Sequence, residues 1–134
     1  MKEPAIWWDI DPSLDRRQYV QRLLDGYRRT PTCAGHVRRE DRRLAHRLYD
    51  QQIPLCLVEA AFSIAALRRL YRDLEATPLA PIRSLHYFLP IIQEIRQQQI
   101  DPGYVEYAEW KVRDSDQELE WIQKLHEQRA STLR

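Results

Sequence analysis

The sequence predicts an all-α fold, a single-domain bundle of five or six helices. Apolar residues recur at spacings of three and four along most of the chain, as they do on one face of an α-helix. The chain has only 3 Gly and lacks the runs of Val, Ile and Thr that are typical of strands. Two domains within 134 residues would each be too small to bury a sound core. We therefore expect residues 1–134 to form one domain.

The first two helices are predicted from a start signal and from apolar periodicity. Residues 1–13 are expected to be irregular, and Asp11-Pro12-Ser13 is a turn or helix-start signal. Either Ser13 or Asp15 could cap the helix that follows, which is predicted to run to about Arg29. A loop rich in Pro, Thr and Gly separates it from a second helix over about 37–51.

The third predicted helix, about 54–73, is apolar on nearly every side. Such a helix belongs at the centre of a bundle, because any other place would expose one of its apolar faces. Pro54 suits the first turn, where its missing N–H has no intrahelical role. Two cysteines do not make a disulfide framework, so Cys33 and Cys56 are expected to be reduced. Cys56 is predicted to be a small core residue.

The last part of the chain is predicted to be helical with two interruptions. Pro90 lies inside the apolar pattern of a fourth helix and predicts a kink or a restart. Asp101-Pro102 is a strong start signal for a C-terminal helix over 101–131. Ser115 and Glu118 have the spacing of a capping box, so this segment is either one long helix or two.

Charge is distributed unevenly along the chain. The net charge is only +1, but residues 16–50 carry ten Arg against four acidic residues. Residues 1–15 and 101–134 each have a net charge of −3. Every base in the central block is Arg, which favours bidentate contacts to phosphate or carboxylate groups.

The basic block predicts contacts with nucleic acid, DNA in the first place, through its phosphates. Clustered positive charge binds phosphates, and interleaved aromatic rings can stack on unpaired bases. The alternative is a solvated helical surface whose Arg side chains pair with neighbouring acids, namely Asp25, Glu40, Asp41 and Asp50. The residues predicted to contact nucleic acid are Arg28, Arg29, Arg38, Arg39, Arg42, Arg43 and Arg47.

A second candidate surface lies on the C-terminal helix. Trp110 and Trp121 are eleven residues apart, about 20° around a continuous helix. They lie opposite the apolar stripe formed by Val105, Ala108, Val112 and Leu119. Together with Tyr107 they predict an interface with a protein partner or a second copy, because Trp is enriched at binding hot spots. Alternatively, Trp7 and Trp8 fold back to cover this face, or a helix break rotates the two faces.

Signatures of catalysis, metal binding and targeting are weak in this sequence. Cys33-x-x-His36 is half of a zinc pattern, and there is no phosphate-binding Gly loop and no nucleophile elbow. His86 is expected at the edge of the core beside Pro90. No apolar stretch reaches the roughly 18–20 residues of a membrane span, and the start lacks a signal-peptide core. We therefore expect a non-enzymatic cytoplasmic protein without a cofactor, a metal or membrane contact.

The stretch Asp41–Ile95 contains a helix, a short connection and a long apolar helix, followed by Tyr87, Ile91 and Ile95 at intervals of four. It resembles the helical C-terminal domain of DnaD-type replication-initiation proteins, in which a late helix carries Tyr-x-x-x-Ile-x-x-x-Trp. Tyr87 and Ile91 match that pattern, and Ile95 stands where the family has Trp. The resemblance implies a helical module that binds DNA without strong sequence preference beside a helicase loader. In composition the chain is also similar to small Arg-rich proteins of bacterial mobile elements.

Overall fold

The structure, a computed structural model, describes residues 14–71, 79–97, 99–114, 124–125 and 127–128. Within these ranges the chain is all-α and contains no strand, which confirms the predicted fold class. The elements are α1 (Arg16–Arg29), α2 (Arg39–Asp50), α3 (Leu55–Leu70), a 3₁₀ helix (Leu85–Phe88), α4 (Leu89–Arg96) and α5 (Pro102–Asp114). None of the helices in the described ranges is both long and apolar enough to cross a bilayer.

Helices α1 and α2 pack side by side and run antiparallel. Asp15 caps α1: its side chain accepts from the Gln18 backbone N–H at 2.8 Å, and the Gln18 side chain accepts from the Asp15 N–H at 3.1 Å. This capping box supplies partners for two of the N–H groups that a helix start leaves free. The Tyr19 ring near the start of α1 meets the Tyr49 ring near the end of α2, with centroids 5.3 Å apart.

Helix α3 is the centre of the bundle, as predicted. Eleven of its sixteen side chains are buried, and it packs against α1, the 3₁₀ helix, α4 and α5. Burying each large aliphatic or aromatic side chain contributes about 1.5–3 kcal/mol, so this helix dominates the apolar stabilisation. The prediction for Cys56 is wrong, because its side chain is exposed. Cys56, Glu59 and Ser63 follow at intervals of three and four, and they form the strip of α3 that faces outward between α1 and α5.

The predicted interruption at Pro90 is a helix restart. The 3₁₀ helix ends at Phe88, and Pro90 lies in the first turn of α4, where no backbone donor is needed. Phe88 is fully buried, and its ring meets those of Phe62 at 4.8 Å and Tyr27 at 6.0 Å in edge-to-face geometry. Such aromatic pairs add to the stabilisation from burial alone.

A buried carboxylate joins α2 to the 3₁₀ helix. The Asp41 side chain has no exposed surface, so it does not lie on the solvated surface that the alternative interpretation predicted. One carboxylate oxygen accepts from the Arg38 backbone N–H and the other from the Leu85 backbone N–H, both at 2.9 Å. The first bond caps the start of α2, and the second spans 44 positions of sequence.

Helix α5 packs along α3 through the apolar stripe that the sequence predicted. The Asp101 side chain accepts from the Gly103 N–H at 2.7 Å, as expected of a helix cap. Val105 and Ala108 are buried, and Val112 packs against the C-terminal end of α3. The segment 1–13 with Trp7 and Trp8, the Ser115 capping box, and Leu119 and Trp121 lie outside the described residues.

Glu59 on α3 and Glu109 on α5 are close enough for their carboxyl groups to interact electrostatically where the two helices pack. Desolvation at this interface raises the pKa of Glu109, and the Glu59 carboxylate raises it further. Desolvation also raises the pKa of Glu59, although Arg22 and Arg29 on α1 oppose this shift. The folded state thus binds these protons more tightly than the unfolded chain does. Protonation of these two carboxyl groups therefore stabilises the fold. This stabilisation is complete at pH values below their pKa in the unfolded chain, and it is lost as the pH rises through their pKa in the folded protein.

Glu109→Gln is therefore expected to stabilise the fold at pH 7. The gain should stay below about 1 kcal/mol, because solvent screens this exposed side chain. It should vanish below about pH 4, where the wild-type carboxyl group is itself protonated. Thermal unfolding of both proteins across this pH range measures the difference. Glu106→Gln is the control. It should stabilise the fold less, because it removes only the weaker repulsion between Glu106 and Glu109 and leaves the stronger repulsion from Glu59 in place. Equal stability of wild type and Glu109→Gln at pH 7 would contradict the expectation.

Candidate nucleic-acid interface

A basic cleft of about 410 Å³ lies between α1 and α2. Its floor is apolar and is formed by Val20 and Leu24, both buried. Its walls are polar, formed by Arg16, Arg17, Gln21, Arg28, Arg42 and His46. We call this site the α1–α2 cleft.

The positions of these residues follow from helix periodicity. On α1, the cleft residues are 16, 17, 20, 21, 24 and 28, which recur at intervals of one, three and four and so share one side of the helix. On α2, Arg42 and His46 are four residues apart. Because the two helices pack antiparallel, these rows face each other, with Arg28 and Arg42 towards the same end.

Ion pairs neutralise only part of the charge in the α1–α2 cleft. Arg16 bonds Asp50 and lies 4.8 Å above the Tyr49 ring, and its guanidinium is 3.3 Å from His46 Nδ1. Arg28 pairs with Asp25 at 3.0 Å. Arg17 and Arg42 form no ion pair within the described part of the chain. The cleft therefore keeps a net positive charge, with these two guanidinium groups able to bind an anion.

The structure divides the seven Arg residues that the sequence predicted as one site. Arg28 and Arg42 line the α1–α2 cleft. Arg39 and Arg43 are exposed and, by helix periodicity, lie on the outer side of α2, opposite its buried residues. The basic region is therefore the lining of the α1–α2 cleft. Of the seven predicted residues it includes Arg28 and Arg42, whereas Arg39 and Arg43 lie outside it.

The other three predicted residues lie elsewhere. Arg29 lines a smaller cleft of about 180 Å³ on the other side of α1, together with Glu59 of α3. Arg47 points to the 3₁₀ helix, where its guanidinium is 3.4 Å from His86 Nε2. The Arg38 guanidinium is 3.8 Å from the buried Asp41 carboxylate.

Arg16, Arg17 and His46 belong to the cleft but were not among the predicted site residues. Arg17 has a detectable signal in the sequence, since it shares one side of α1 with Arg28. The solvated-surface alternative also describes part of the structure: Arg28 pairs with Asp25 within α1 as it predicted. Asp50, however, pairs across helices with Arg16.

Neither cysteine of the chain has an activated thiol. Burial raises the pKa of the Cys33 thiol to about 12. Burial, followed by the carboxylates of Glu59 and Glu109, raises the pKa of Cys56. Burial also raises the pKa of Tyr27 to about 12. A thiol with a raised pKa holds little thiolate at neutral pH and is a poor nucleophile and metal ligand.

Ser84 and His86 lie close together at the start of the 3₁₀ helix. His86 is exposed rather than at the core edge, so that prediction is wrong. Its Nδ1 is 3.1 Å from Ser84 Oγ, and Arg47 is near its Nε2. The Ser84 hydroxyl also accepts from the His86 backbone N–H at 3.2 Å. No three potential metal ligands come together in the described ranges.

Helix α5 presents an exposed row of aromatic rings on the side away from α3, and we call it the α5 aromatic face. It comprises Tyr104, Tyr107 and Trp110, which are 37%, 48% and 48% exposed. Their rings follow one another with centroids 6.5 and 6.2 Å apart. The ammonium of Lys111 lies 5.4 Å from the ring of Tyr71, which is exposed near the end of α3. Tyr107 and Trp110 of the predicted protein interface are therefore on the surface together.

No family model, no curated protein and no solved structure matches this chain. The resemblance of residues 41–95 to DnaD-type proteins stays a prediction. Tyr87 lies in the 3₁₀ helix and is exposed, whereas Ile91 and Ile95 lie in α4 and are buried.

Proposed function

We propose that this protein binds nucleic acid without catalysing a reaction, through the phosphate backbone and the basic region at the α1–α2 cleft. The observation that carries the proposal is the pair Arg17 and Arg42, which face one cleft without an acidic partner in the described residues. A protein of this size would act as an accessory component of a larger nucleoprotein assembly. DNA is the expected polymer.

Three physical features support phosphate binding at this place. The guanidinium group is planar and always charged, and it bonds phosphate oxygens with two parallel N–H donors. The cleft concentrates four Arg in a small concave volume, which raises the local positive potential. The acidic residues nearby, Asp25 and Asp50, each engage an Arg already and leave the remaining charges uncompensated.

Charge reversal at Arg17 and Arg42 is expected to weaken DNA binding by at least about 100-fold at low salt, because both attraction and counterion release are lost. Fluorescence anisotropy with labelled DNA measures the affinity. In the wild type, the logarithm of the association constant should fall linearly with the logarithm of the salt concentration. Arg38 is left unchanged, because a Glu at this position would face the buried Asp41 carboxylate and destabilise the fold. A loss of affinity could then not be separated from a loss of stability.

The matched control reverses the same number of charges elsewhere. Arg83→Glu with Arg96→Glu changes two exposed Arg residues outside α1 and α2. This variant should bind DNA within about threefold of the wild type at moderate salt, where distant charges are screened. If the control loses as much affinity as the Arg17 and Arg42 variant, or if the wild type binds no nucleic acid at low salt, the proposal is wrong.

A second candidate function, binding of a protein, is favoured by the α5 aromatic face. Exposed Tyr and Trp side chains that lie together are the residue types most enriched at the centre of protein interfaces. Lys111 lies 6.0 Å from the Trp110 ring, so the face also offers a polar edge. Under this proposal the protein is an adaptor or regulator, and its partner is a second copy of the chain or another protein.

Self-association is the first test of this second candidate. Tyr107→Ala with Trp110→Ala should convert any dimer or larger species to the monomer, because the buried aromatic area is lost. Light scattering at low and high salt measures the mass, and association should survive high salt, because apolar burial is little screened by ions. Tyr87→Ala, which removes another exposed Tyr, is the control and should leave the mass unchanged. A wild type that is monomeric under all these conditions counts against a second copy as the partner.

A further inference from the structure

We infer that the α1–α2 cleft binds a single unpaired strand of nucleic acid and does not admit a duplex. This inference rests on the nucleic-acid function proposed above and adds to it the form of the polymer. It follows from the width of the cleft, from the chemistry of its floor and from the positions of the Arg side chains that are already engaged.

The width of the cleft is the first argument. The axes of two packed helices are about 8–10 Å apart, so the space between them is a narrow furrow. A DNA duplex is wider, since its major groove alone is about 12 Å across. A duplex could rest on the rims of the cleft, but it could not reach Val20 and Leu24 on the floor. The volume of about 410 Å³ is in the range of sites that enclose a small organic group.

The floor of the cleft is the second argument. Phosphate binding alone needs only charge, yet the lining here also offers apolar surface, from the edge of Val20, which is 7% exposed, and from the aliphatic stems of the Arg side chains. A nucleotide of an unpaired strand has a charged phosphate and an apolar base face, and it can satisfy both parts at once. In a duplex the base faces are stacked on one another and cannot contact such a floor.

The third argument concerns which side chains can still bind a ligand. Tyr49 does not supply a stacking surface, because Arg16 covers its ring at 4.8 Å and Tyr19 meets it at 5.3 Å. Asp50 holds Arg16 in place at this end of the cleft. Arg17 and Arg42 remain to bond the phosphates, and their guanidinium planes can stack on bases. Base contact is thus expected from aliphatic and guanidinium groups rather than from aromatic rings.

The experiment compares two pairs of substitutions against two forms of DNA. Arg17→Gln with Arg42→Gln removes two charges inside the cleft, and Arg39→Gln with Arg43→Gln removes two from the outer side of α2. Affinities are measured by anisotropy for a strand of about 12 nucleotides and for its duplex. We expect the wild type to prefer the single strand by at least about tenfold. The cleft pair should lose at least about tenfold for that strand, and the outer pair less than about threefold.

Equal affinity for duplex and single strand, or an equal loss from the outer pair, overturns the inference but leaves the proposed function standing. Absence of binding to either polymer overturns the proposed function itself.

Discussion

Replacing Asp41 by alanine is expected to lower the free energy of unfolding by about 3 kcal/mol. The change leaves the Leu85 N–H, in a buried residue, without its acceptor and also removes the acceptor of the Arg38 N–H at the start of α2. A buried donor without a partner costs about 1–3 kcal/mol, and the lost helix cap adds about 1 kcal/mol. Urea denaturation monitored by circular dichroism measures the change as a lower midpoint with an unchanged slope.

Asp41→Asn serves as the matched control for this prediction. The amide keeps one acceptor oxygen of nearly the same shape but replaces the other oxygen with a donor that faces an N–H group. It should therefore lie between the wild type and Asp41→Ala in stability. A loss of less than about 1 kcal/mol in Asp41→Ala would contradict the structure, since it would mean that neither bond to the carboxylate contributes.

Phe88→Ala is expected to have the largest effect of any substitution considered, a loss of about 3–5 kcal/mol. The Phe88 ring is fully buried and fills the space between the rings of Phe62 and Tyr27. Removing it loses the transfer free energy of the ring and leaves a cavity that the rigid α1 and α3 cannot close. Because the short 3₁₀ helix is anchored by this ring, its packing against α2 should loosen as well.

Tyr87→Ala tests whether burial, rather than aromatic content, causes that loss. Tyr87 is the adjacent residue in the same 3₁₀ helix and is 43% exposed, with the Arg69 guanidinium 5.4 Å from its ring centroid. Its replacement should cost less than about 1 kcal/mol, because an exposed cation–π contact contributes little. Chemical denaturation of the two variants under the same conditions measures both losses in the free energy of unfolding. Similar losses would mean that the burial of Phe88 is not the cause.

These two predictions also bear on the basic region. Asp41 and Phe88 hold α2 and the 3₁₀ helix in position, and neither lines the α1–α2 cleft. Their variants should therefore keep their nucleic-acid affinity at temperatures where they remain folded. The Arg substitutions should show the reverse behaviour, with lower affinity and unchanged stability. Measuring both properties for each variant separates residues that bind the ligand from residues that support the fold.

Features that depend on neighbouring residues could be predicted from the amino-acid sequence. The Asp15 and Asp101 caps and the restart at Pro90 are local, because each involves backbone groups within a few positions. The central place of α3 could be predicted because a helix that is apolar on nearly every side must be surrounded. The sequence also predicted that Trp110 of the α5 aromatic face lies opposite the buried stripe of α5, because this follows from helical periodicity.

Contacts between residues that are distant in the sequence could be identified only from the packing of the helices. Ten Arg in residues 16–50 were visible as a charge cluster, but their division among the cleft, the outer side of α2 and other surfaces depends on how α1 and α2 pack. Periodicity places a side chain around its own helix and does not say which neighbour that side faces. The burial of Asp41 depends on an N–H group 44 residues away, and the exposure of Cys56 depends on the gap between α1 and α5. The free energies of such long-range contacts are set by packing, which no local pattern of the sequence records.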